Sequence, residues 1–314
     1  MADHEFLYYK NMDAAQTRRI SYILFTKNRG PRLDDTIAHV AEFIRKDDEI
    51  IIADGASTDS TEEVVLRHRN IVHIFLSEPD RSSPHALNKA VLLARGKYIM
   101  NIPDDDRVHG DAAEKAVEVM EKNPDIDLLV CGGIKHFVTQ KKIRPFYQYP
   151  GRNYGSSPEH AFTYGACGNG FVIRRSAFPK VGLFPLNTVA WDRIWFAQCV
   201  YYGGIVKFAR INFFHHYITD DSLSRTKRPQ IAAESARFMS LYCSPDFIRR
   251  ERRRKSSLHR MADAGRVAGY KSMHALFGSE KGRIINGRVA SFLKMKESRT
   301  SKKTANVLWD GGFS

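Results

Sequence analysis

Three consecutive carboxylates, Asp104, Asp105 and Asp106, follow directly on an apolar run of strand length that begins after Gly96. Adjacent carboxylates repel one another, so a fold tolerates such a cluster mainly where a cation neutralises it. Mg²⁺ takes one or two protein carboxylates and fills its other positions with phosphate oxygens and water. The cluster therefore predicts a divalent ion on a diphosphate, with a solvated acidic turn before a helix near Asp111 as the alternative.

The elements that position this cluster alternate between apolar strands and amphipathic helices. Strands are predicted at residues 20–26, 49–53, 72–76 and 97–102, and helices at 33–45, 61–66 and 85–95. Strand and helix in alternation at this pitch are typical of a parallel sheet. The acids then lie at the carboxyl ends of the strands, where open α/β sheets bind nucleotides.

The composition is that of a soluble globular protein, with 43% hydrophobic and 27% charged residues among 314. No run of 18 or more uncharged apolar residues occurs, and the first residues lack the pattern of a signal peptide, so a cytoplasmic protein is expected. The four cysteines are widely separated and form no CxxC pair. This spacing argues against a zinc site and against a disulfide framework.

The net charge of +14 is concentrated in the last quarter of the chain, because residues 229–314 hold 18 Lys or Arg against 7 Asp or Glu. This bias indicates an anionic partner such as a membrane surface, a lipid phosphate or nucleic acid. The basic band at residues 248–255 lies within a predicted helix, and a peripheral contact with an anionic membrane is expected, with an ordinary solvated helix face as the alternative. Nucleic acid is not expected, since no aromatic residues are interleaved with the band.

Five segments, taken in order, resemble the motif series of family 2 glycosyltransferases, which are inverting enzymes of the GT-A fold. The segments are residues 21–29, 51–61, 78–81, 86–89 and 96–106. The resemblance continues more faintly to about residue 226. It implies an α/β GT-A domain at 1–228, with a mostly parallel central sheet flanked by helices. The charge and the helical pattern of residues 229–314 predict a basic helical extension.

The resemblance also implies transfer of a sugar from a nucleotide diphosphate donor, usually a UDP-sugar, with Mn²⁺ or Mg²⁺. A glycan or lipid-linked acceptor and a place in polysaccharide synthesis follow from the same likeness. By position, Asp54 accepts from uracil N3–H, and a set of further residues lines the nucleoside or lies near the diphosphate. These residues are Phe25, Thr26, Asn28, Arg81, Asn88 and Lys89.

Each of these positions has a purely structural alternative. Asp54 precedes Gly55, and Asp-Gly is turn chemistry. Asn28 is equally suited to a turn, and Arg81 and Lys89 to solvated surface charges.

The acidic cluster departs from the family pattern, because Pro103 occupies the position where the family has Asp or Asn. Asp105 falls on the metal-binding position, and Asp106 is a second candidate ligand. Asp104 either replaces the lost carboxylate beside the nucleotide or faces solvent.

An inverting transfer needs a carboxylate that takes the proton of the acceptor hydroxyl. In the resembled family this Asp lies before a helix and after a Gly-Leu-Phe turn, and residues 182–184 form such a turn. Asp192 is the only acid between that turn and Gly203, and it is the predicted general base. Trp191 fills the preceding position, where the family has Glu. The alternatives are a helix cap paired with Arg193 and a shift in register.

His215 and His216 lie on a predicted strand, so they point to opposite faces and at most one of them joins the site. His216 is the predicted metal ligand, with a structural histidine as the alternative. Because the acidic cluster and the Glu-Asp pair are both altered, a nucleotide-sugar-binding protein without catalysis is a second hypothesis. A sugar nucleotidyltransferase is a third, although residues 28–32 match its Gly-rich basic loop poorly.

Overall fold

The computed structural model describes residues 7–10, 18–104, 106–146, 154–220 and 222–254. They form a ten-stranded sheet with helices packed on both of its faces. The strands are β1 (Leu7–Lys10), β2 (Arg18–Thr26), β3 (Glu49–Asp54), β4 (Ile74–Ser77), β5 (Gly96–Pro103), β6 (Arg107–Val108), β7 (Leu128–Phe137), β8 (Lys142–Phe146), β9 (Phe171–Arg174) and β10 (Val206–Ile218). The helices are α1 (Gly30–Ala41), α2 (Thr61–Arg67), α3 (Ser83–Leu93), α4 (Gly110–Lys122), α5 (Glu159–Thr163), α6 (Phe178–Val181), α7 (Trp191–Tyr201), α8 (Leu223–Thr226) and α9 (Arg228–Tyr242).

The strands follow the order β1-β4-β3-β2-β5-β9-β7-β10-β6, with β8 paired to β7. The central strands β4, β3, β2 and β5 run parallel, and β10 runs parallel to β7. β1, β6, β8 and β9 run antiparallel to their neighbours. The predicted parallel sheet is therefore confirmed for the central strands, and the sheet as a whole is mixed.

The register of the central strands brings the sequence motifs to one edge of the sheet. Phe25 of β2 lies opposite Pro103 of β5, and Thr26 lies opposite Asp54 of β3. The loops that follow these three strands therefore leave the sheet side by side. This is the edge that the sequence predicts for nucleotide binding.

Alternation along the strands divides the core into two layers. Tyr22 and Leu24 of β2 pack on the face covered by α1, α2 and α4. Ile23 points to the opposite face, which α3, α6 and α7 cover. All three side chains are at most 1% exposed. Burial of a side chain of this size stabilises the fold by roughly 1.5–3 kcal/mol, so the two layers fix the sheet edge on which the site is built.

Strand β7 runs without interruption from Leu128 to Phe137. Helix α9 contacts α5 and α7 and belongs to the first compact unit, Met1–Ser244. A second unit begins at Pro245, and its described part is a helix over residues 245–254. The domain division at residue 228 stays a prediction.

Two features predicted from the sequence lie outside the described part of the chain. They are the predicted metal ligand Asp105 and most of the basic tail, at residues 255–314. Of the helices that are described, none combines the length and the apolar composition that crossing a membrane requires.

Candidate active site

Asp54 ends β3 and is 2% exposed. Its Oδ2 accepts hydrogen bonds from the backbone N–H of Ser57 at 2.9 Å and from Oγ of Ser77 at 2.6 Å, and its Oδ1 accepts from Oγ of Ser57. Asp54 therefore caps the turn that follows β3 and ties it to the end of β4. A contact with uracil stays a prediction.

Asn28 joins the loop after β2 to the loop after β3. Its backbone has φ of 53°, in the left-handed region that Asn tolerates better than most residues. Its Oδ1 accepts the N–H of Thr58 at 2.8 Å, and its own N–H donates to Oγ of Ser57 at 2.7 Å. The two loops that would enclose a nucleoside are thus held together by side-chain hydrogen bonds.

Asp104 is 5% exposed and therefore does not face solvent. Its Oδ2 accepts from Oγ1 of Thr26 at 2.8 Å, and its Oδ1 accepts from Nη1 of Arg29 at 3.0 Å. This carboxylate links the end of β5 to the end of β2 and the start of α1. A cavity of about 270 Å³ opens beside it, lined by Arg32, Asp35, Asp104, Arg107, Tyr217 and Thr219.

Asp106 lies at the centre of a polar network and is 1% exposed. Nδ1 of His216 lies 2.9 Å from its Oδ2, and the N–H of Tyr217 donates to its Oδ1 at 2.9 Å. The side-chain amide of Asn169 donates to the same carboxylate. The two predicted metal ligands Asp106 and His216 therefore contact each other directly, and Asp106 orients the imidazole ring.

His215 points to the other face of β10, as the alternation predicts. Its Nδ1 lies 3.1 Å from Nε2 of His136, and its ring packs against that of His109 at 4.6 Å between centroids. His216 is thus the histidine that faces Asp106.

Asp192 lies in the first turn of α7. Its Oδ2 accepts the N–H of Gly168 at 3.1 Å, and its Oδ1 accepts the N–H of Arg193 at 2.7 Å. Burial raises the pKa of Asp192, and this effect outweighs the positive charge of Arg193 and the two N–H donors, which lower it. A carboxylate with a raised pKa is a stronger base than an ordinary Asp.

The predicted base and the acidic cluster are bridged by two consecutive residues. Gly168 donates its N–H to Asp192, and the next residue, Asn169, donates its side-chain amide to Asp106. The short 3-10 turn Gly168–Gly170 is therefore the segment that brings the predicted base and the predicted metal cluster together.

Asn88 of α3 supports the turn that precedes the predicted base. Its amide donates to the carbonyl of Phe184 at 2.8 Å and accepts the N–H of Phe184 at 2.9 Å. The turn itself requires glycine at Gly182, whose φ is +90°. Asn88 therefore has a structural role on the base side, and its contact with the nucleotide stays a prediction.

The remaining residues that are predicted to bind the nucleotide-sugar donor lie near the same edge of the sheet. Nζ of Lys89 pairs with Oε1 of Glu78 at 3.1 Å, so Lys89 is not a fully solvated charge. Arg81 is exposed, and its backbone N–H donates to Nδ1 of His85 at 3.1 Å. Phe25 packs against the core layer of α3 and α7.

The described residues fit a divalent ion in one respect. The hydrogen bond from Nδ1 of His216 to Asp106 leaves Nε2 as the nitrogen that can bind a metal, and metal-ligating histidines are typically held by a carboxylate in this way. Within the described ranges, no group of three or more His, Cys, Asp or Glu side chains is arranged to hold a metal. Asp105 would have to supply a further ligand.

Several contacts of the site were not predicted from the sequence. Ser57 and Ser77 hold Asp54, Arg29 holds Asp104, and Asn169 holds Asp106. These contacts carry no sequence signal beyond residue type.

The family model described as glycosyl transferase family 2 matches residues 21–182, more than half of the chain. The chain belongs to glycosyl transferase family 2. Among its relatives, a protein named as a teichuronic acid biosynthesis glycosyltransferase, TuaG of Bacillus subtilis, is 30% identical over 104 residues. The poly-beta-1,6-N-acetyl-D-glucosamine synthase of Staphylococcus epidermidis is 29% identical over 113 residues. The matches cover 32% and 35% of this chain, and only 41% and 27% of the two relatives.

Solved structures of this family's fold resemble the chain more extensively. The mannosyltransferase PcManGT of Pyrobaculum calidifontis, solved with GDP-Man and Mn²⁺, superposes with a TM-score of 0.61 at 18% identity over 95% of this chain and 86% of its own. TarS 1-349 of S. aureus, solved with UDP-GlcNAc, gives a TM-score of 0.53 at 14% identity, over 71% of this chain and 65% of its own. These likenesses confirm the predicted GT-A fold.

Proposed function

We propose that the protein transfers a sugar, with inversion, from a UDP-sugar to a hydroxyl of a glycan or lipid-linked acceptor. The observation that carries this proposal is the bridge from Asp192 through Gly168 and Asn169 to Asp106. It joins a carboxylate suited to a general base to the acidic cluster at the nucleotide edge.

In the proposed reaction the acceptor oxygen attacks the anomeric carbon from the face opposite the diphosphate. The new glycosidic bond forms as the bond to the diphosphate oxygen breaks, and the hydroxyl proton passes to the carboxylate of Asp192. The hydrogen bonds from Gly168 and Arg193 hold that carboxylate in place. Its raised pKa favours proton uptake.

The donor diphosphate would be held by Asp105 and His216 through Mn²⁺ or Mg²⁺. Asp106 keeps the imidazole of His216 in one orientation. The chemistry that a bound divalent ion supplies is neutralisation of the charge that develops on the departing diphosphate.

The nucleoside would lie between the loops after β2 and β3, where Asn28, Thr26 and Asp54 meet. UDP is proposed because a carboxylate at Asp54 suits the N3–H donor of uracil. The PcManGT structure contains GDP-Man, and the TarS structure contains UDP-GlcNAc, so nucleotides with either base occur on this fold.

Calorimetric titration with UDP, with and without Mn²⁺, tests the donor site. Binding that requires the metal, is lost in Asp105→Ala and is retained in Asp125→Ala, an exposed acid elsewhere, supports the proposal. Tight binding of GDP with none of UDP would contradict the choice of base. Metal-dependent binding without any donor turnover would favour the non-catalytic hypothesis.

The basic helix at residues 245–254 is proposed to contact anionic lipid. Its exposed arginines are Arg249, Arg250, Arg252, Arg253 and Arg254. Arg249 pairs with Asp246 and Arg254 with Glu251 within the helix. Flotation with vesicles that contain anionic lipid should recover the full-length protein, and neutral vesicles should not. Equal recovery with both would contradict the proposal.

A further inference from the structure

Helix α7 carries the proposed base but lacks a cap of its own. Its N-cap residue is Ala190, which has no side-chain oxygen to accept a hydrogen bond from the first turn, and no side-chain cap is formed there. Helix starts with unsatisfied N–H groups are normally satisfied by another part of the protein.

Glu234 of α9 does not cap that first turn, but it holds the segment that leads into α7. Its Oε2 accepts from Oγ1 of Thr188 at 2.7 Å, from the N–H of Val189 at 2.9 Å and from the N–H of Ala190 at 3.3 Å. One carboxylate oxygen from a helix more than 30 residues further along the chain therefore holds three consecutive residues before α7. Its other oxygen, Oε1, accepts from Nε2 of Gln230 at 2.9 Å and does not contribute to this contact. The N–H of Ala190 also donates to Oγ1 of Thr188, at 3.1 Å.

The neighbouring residue of α9, Ser235, contacts Arg193, the residue that follows the proposed base. Nη1 of Arg193 lies 3.3 Å from Oγ of Ser235, a side chain that is 5% exposed. Burial raises the pKa of Glu234, but the hydrogen bonds from Thr188, Gln230, Val189 and Ala190 together lower it below its ordinary value. The group is thus held as a carboxylate that accepts from the start of α7.

We propose that Glu234 is a positioning residue, which fixes the start of α7 and so the carboxylate of Asp192 relative to the acidic cluster. The inference rests on the proposed function, since it assumes that Asp192 is the base. Glu234 does not itself touch the reacting atoms. It acts through the Thr188–Ala190 segment, so its loss should affect the chemical step and not the binding of the donor.

The test compares Glu234→Ala, Glu234→Gln and the matched control Gln230→Ala. In Glu234→Ala we expect kcat to fall by about 10–100-fold, because a small misplacement of a catalytic group has effects of this size. The affinity of Glu234→Ala for UDP should change by less than about twofold. The kcat of Gln230→Ala should also change by less than about twofold, because the side chain of Gln230 lies on the solvent side of the contact. Glu234→Gln keeps an acceptor oxygen and should recover most of the activity.

Amide hydrogen exchange gives a readout that does not depend on turnover. The N–H of Val189 should exchange at least about tenfold faster in Glu234→Ala, since its acceptor is removed, whereas the N–H of Ala190 keeps Oγ1 of Thr188 as an acceptor. Unchanged exchange, or faster exchange with an unchanged kcat, would overturn the inference. A loss of UDP affinity in proportion to kcat would also overturn it. A wild-type protein that turns over no donor would overturn the proposed function instead, and the exchange result would then decide alone whether Glu234 fixes the start of α7.

Discussion

Nδ1 of His216 and Oδ2 of Asp106 lie 2.9 Å apart, although 110 residues separate them in the chain. The carboxylate is 1% exposed and also accepts from Asn169 and the backbone of Tyr217. A carboxylate with this many donors is better suited to hold a histidine than to bind a metal directly. The acidic cluster thus has two roles. Asp106 orients His216, and Asp105 is the residue proposed to hold the ion.

The first prediction concerns this division. Asp106→Asn should lower the affinity for Mn²⁺ in the presence of UDP, and kcat/KM with it, by about 10–100-fold, because the loss of a carboxylate behind a metal-binding histidine typically has effects of this size. Titration of activity and of UDP binding against Mn²⁺ measures both. His215→Asn, on the opposite face of β10, is the control and should leave the Mn²⁺ dependence unchanged. An equal effect of the two substitutions would contradict the assignment.

The fold and the location of the site could be predicted from the sequence because both depend on local patterns. Buried strands followed by polar residues identify the sheet edge, and strand alternation separates His215 from His216. The partners of the site residues depend on long-range packing. Nothing near Asp106 in the sequence indicates Asn169, and nothing near Ala190 indicates that Glu234 accepts its N–H. A single sequence gives the residue types and not which loops meet.

The same limit applies to Asp54 and Asn88, whose structural partners the sequence does not indicate and whose nucleotide contacts stay predictions. Their positions match the nucleotide motifs, but the structure places serine hydroxyls on Asp54 and the backbone of Phe184 on Asn88. Residues that shape a ligand loop must be satisfied by the protein as well as by the ligand.

The second prediction tests the loop contact of Asn28. Asn28→Ala places a residue with little tolerance for φ of 53° at this position and removes the acceptor for Thr58, so UDP affinity should fall by roughly tenfold. Asn28→Gly relieves the backbone strain and should lose less. Calorimetry measures both. Asn187→Ala, at an exposed position with φ of 56°, imposes the same strain elsewhere and should leave UDP affinity unchanged.

The third prediction concerns the contact between Gly168 and Trp191. A Cβ atom on Gly168 would lie 2.3 Å from Cη2 of Trp191, which no side chain tolerates without movement. Gly168→Ala should therefore displace the first turn of α7 and lower kcat by at least about tenfold. Replacing Trp191 by Phe in the same protein removes the distal ring of the indole and should restore part of the activity. A double-mutant cycle measures this coupling, and strict additivity of the two losses would exclude the steric explanation.

The fourth prediction combines the activity and stability of Asp192→Asn. Because the pKa of Asp192 is raised in the folded protein, the folded state binds more protons than the unfolded chain between the two pKa values, and stability falls as pH rises through that window. The variant does not titrate there, so at pH 7 its Tm should exceed that of the wild type, and the difference should vanish below about pH 3.9, the ordinary pKa of Asp.

Transfer by the same variant should fall by about 10²–10⁴-fold with donor binding retained, the usual contribution of a general base. In the wild type, activity should be lost on acidification at a pH above the ordinary pKa of an Asp, since the base must be ionised to take the proton. Scanning calorimetry and a pH profile of kcat/KM provide the two measurements. Asp111→Asn, at an exposed position in the first turn of α4, is the control and should show neither effect. A variant that is less stable than the wild type at pH 7 and still transfers sugar would mean that Asp192 is a structural cap of α7, and the base would have to be another carboxylate.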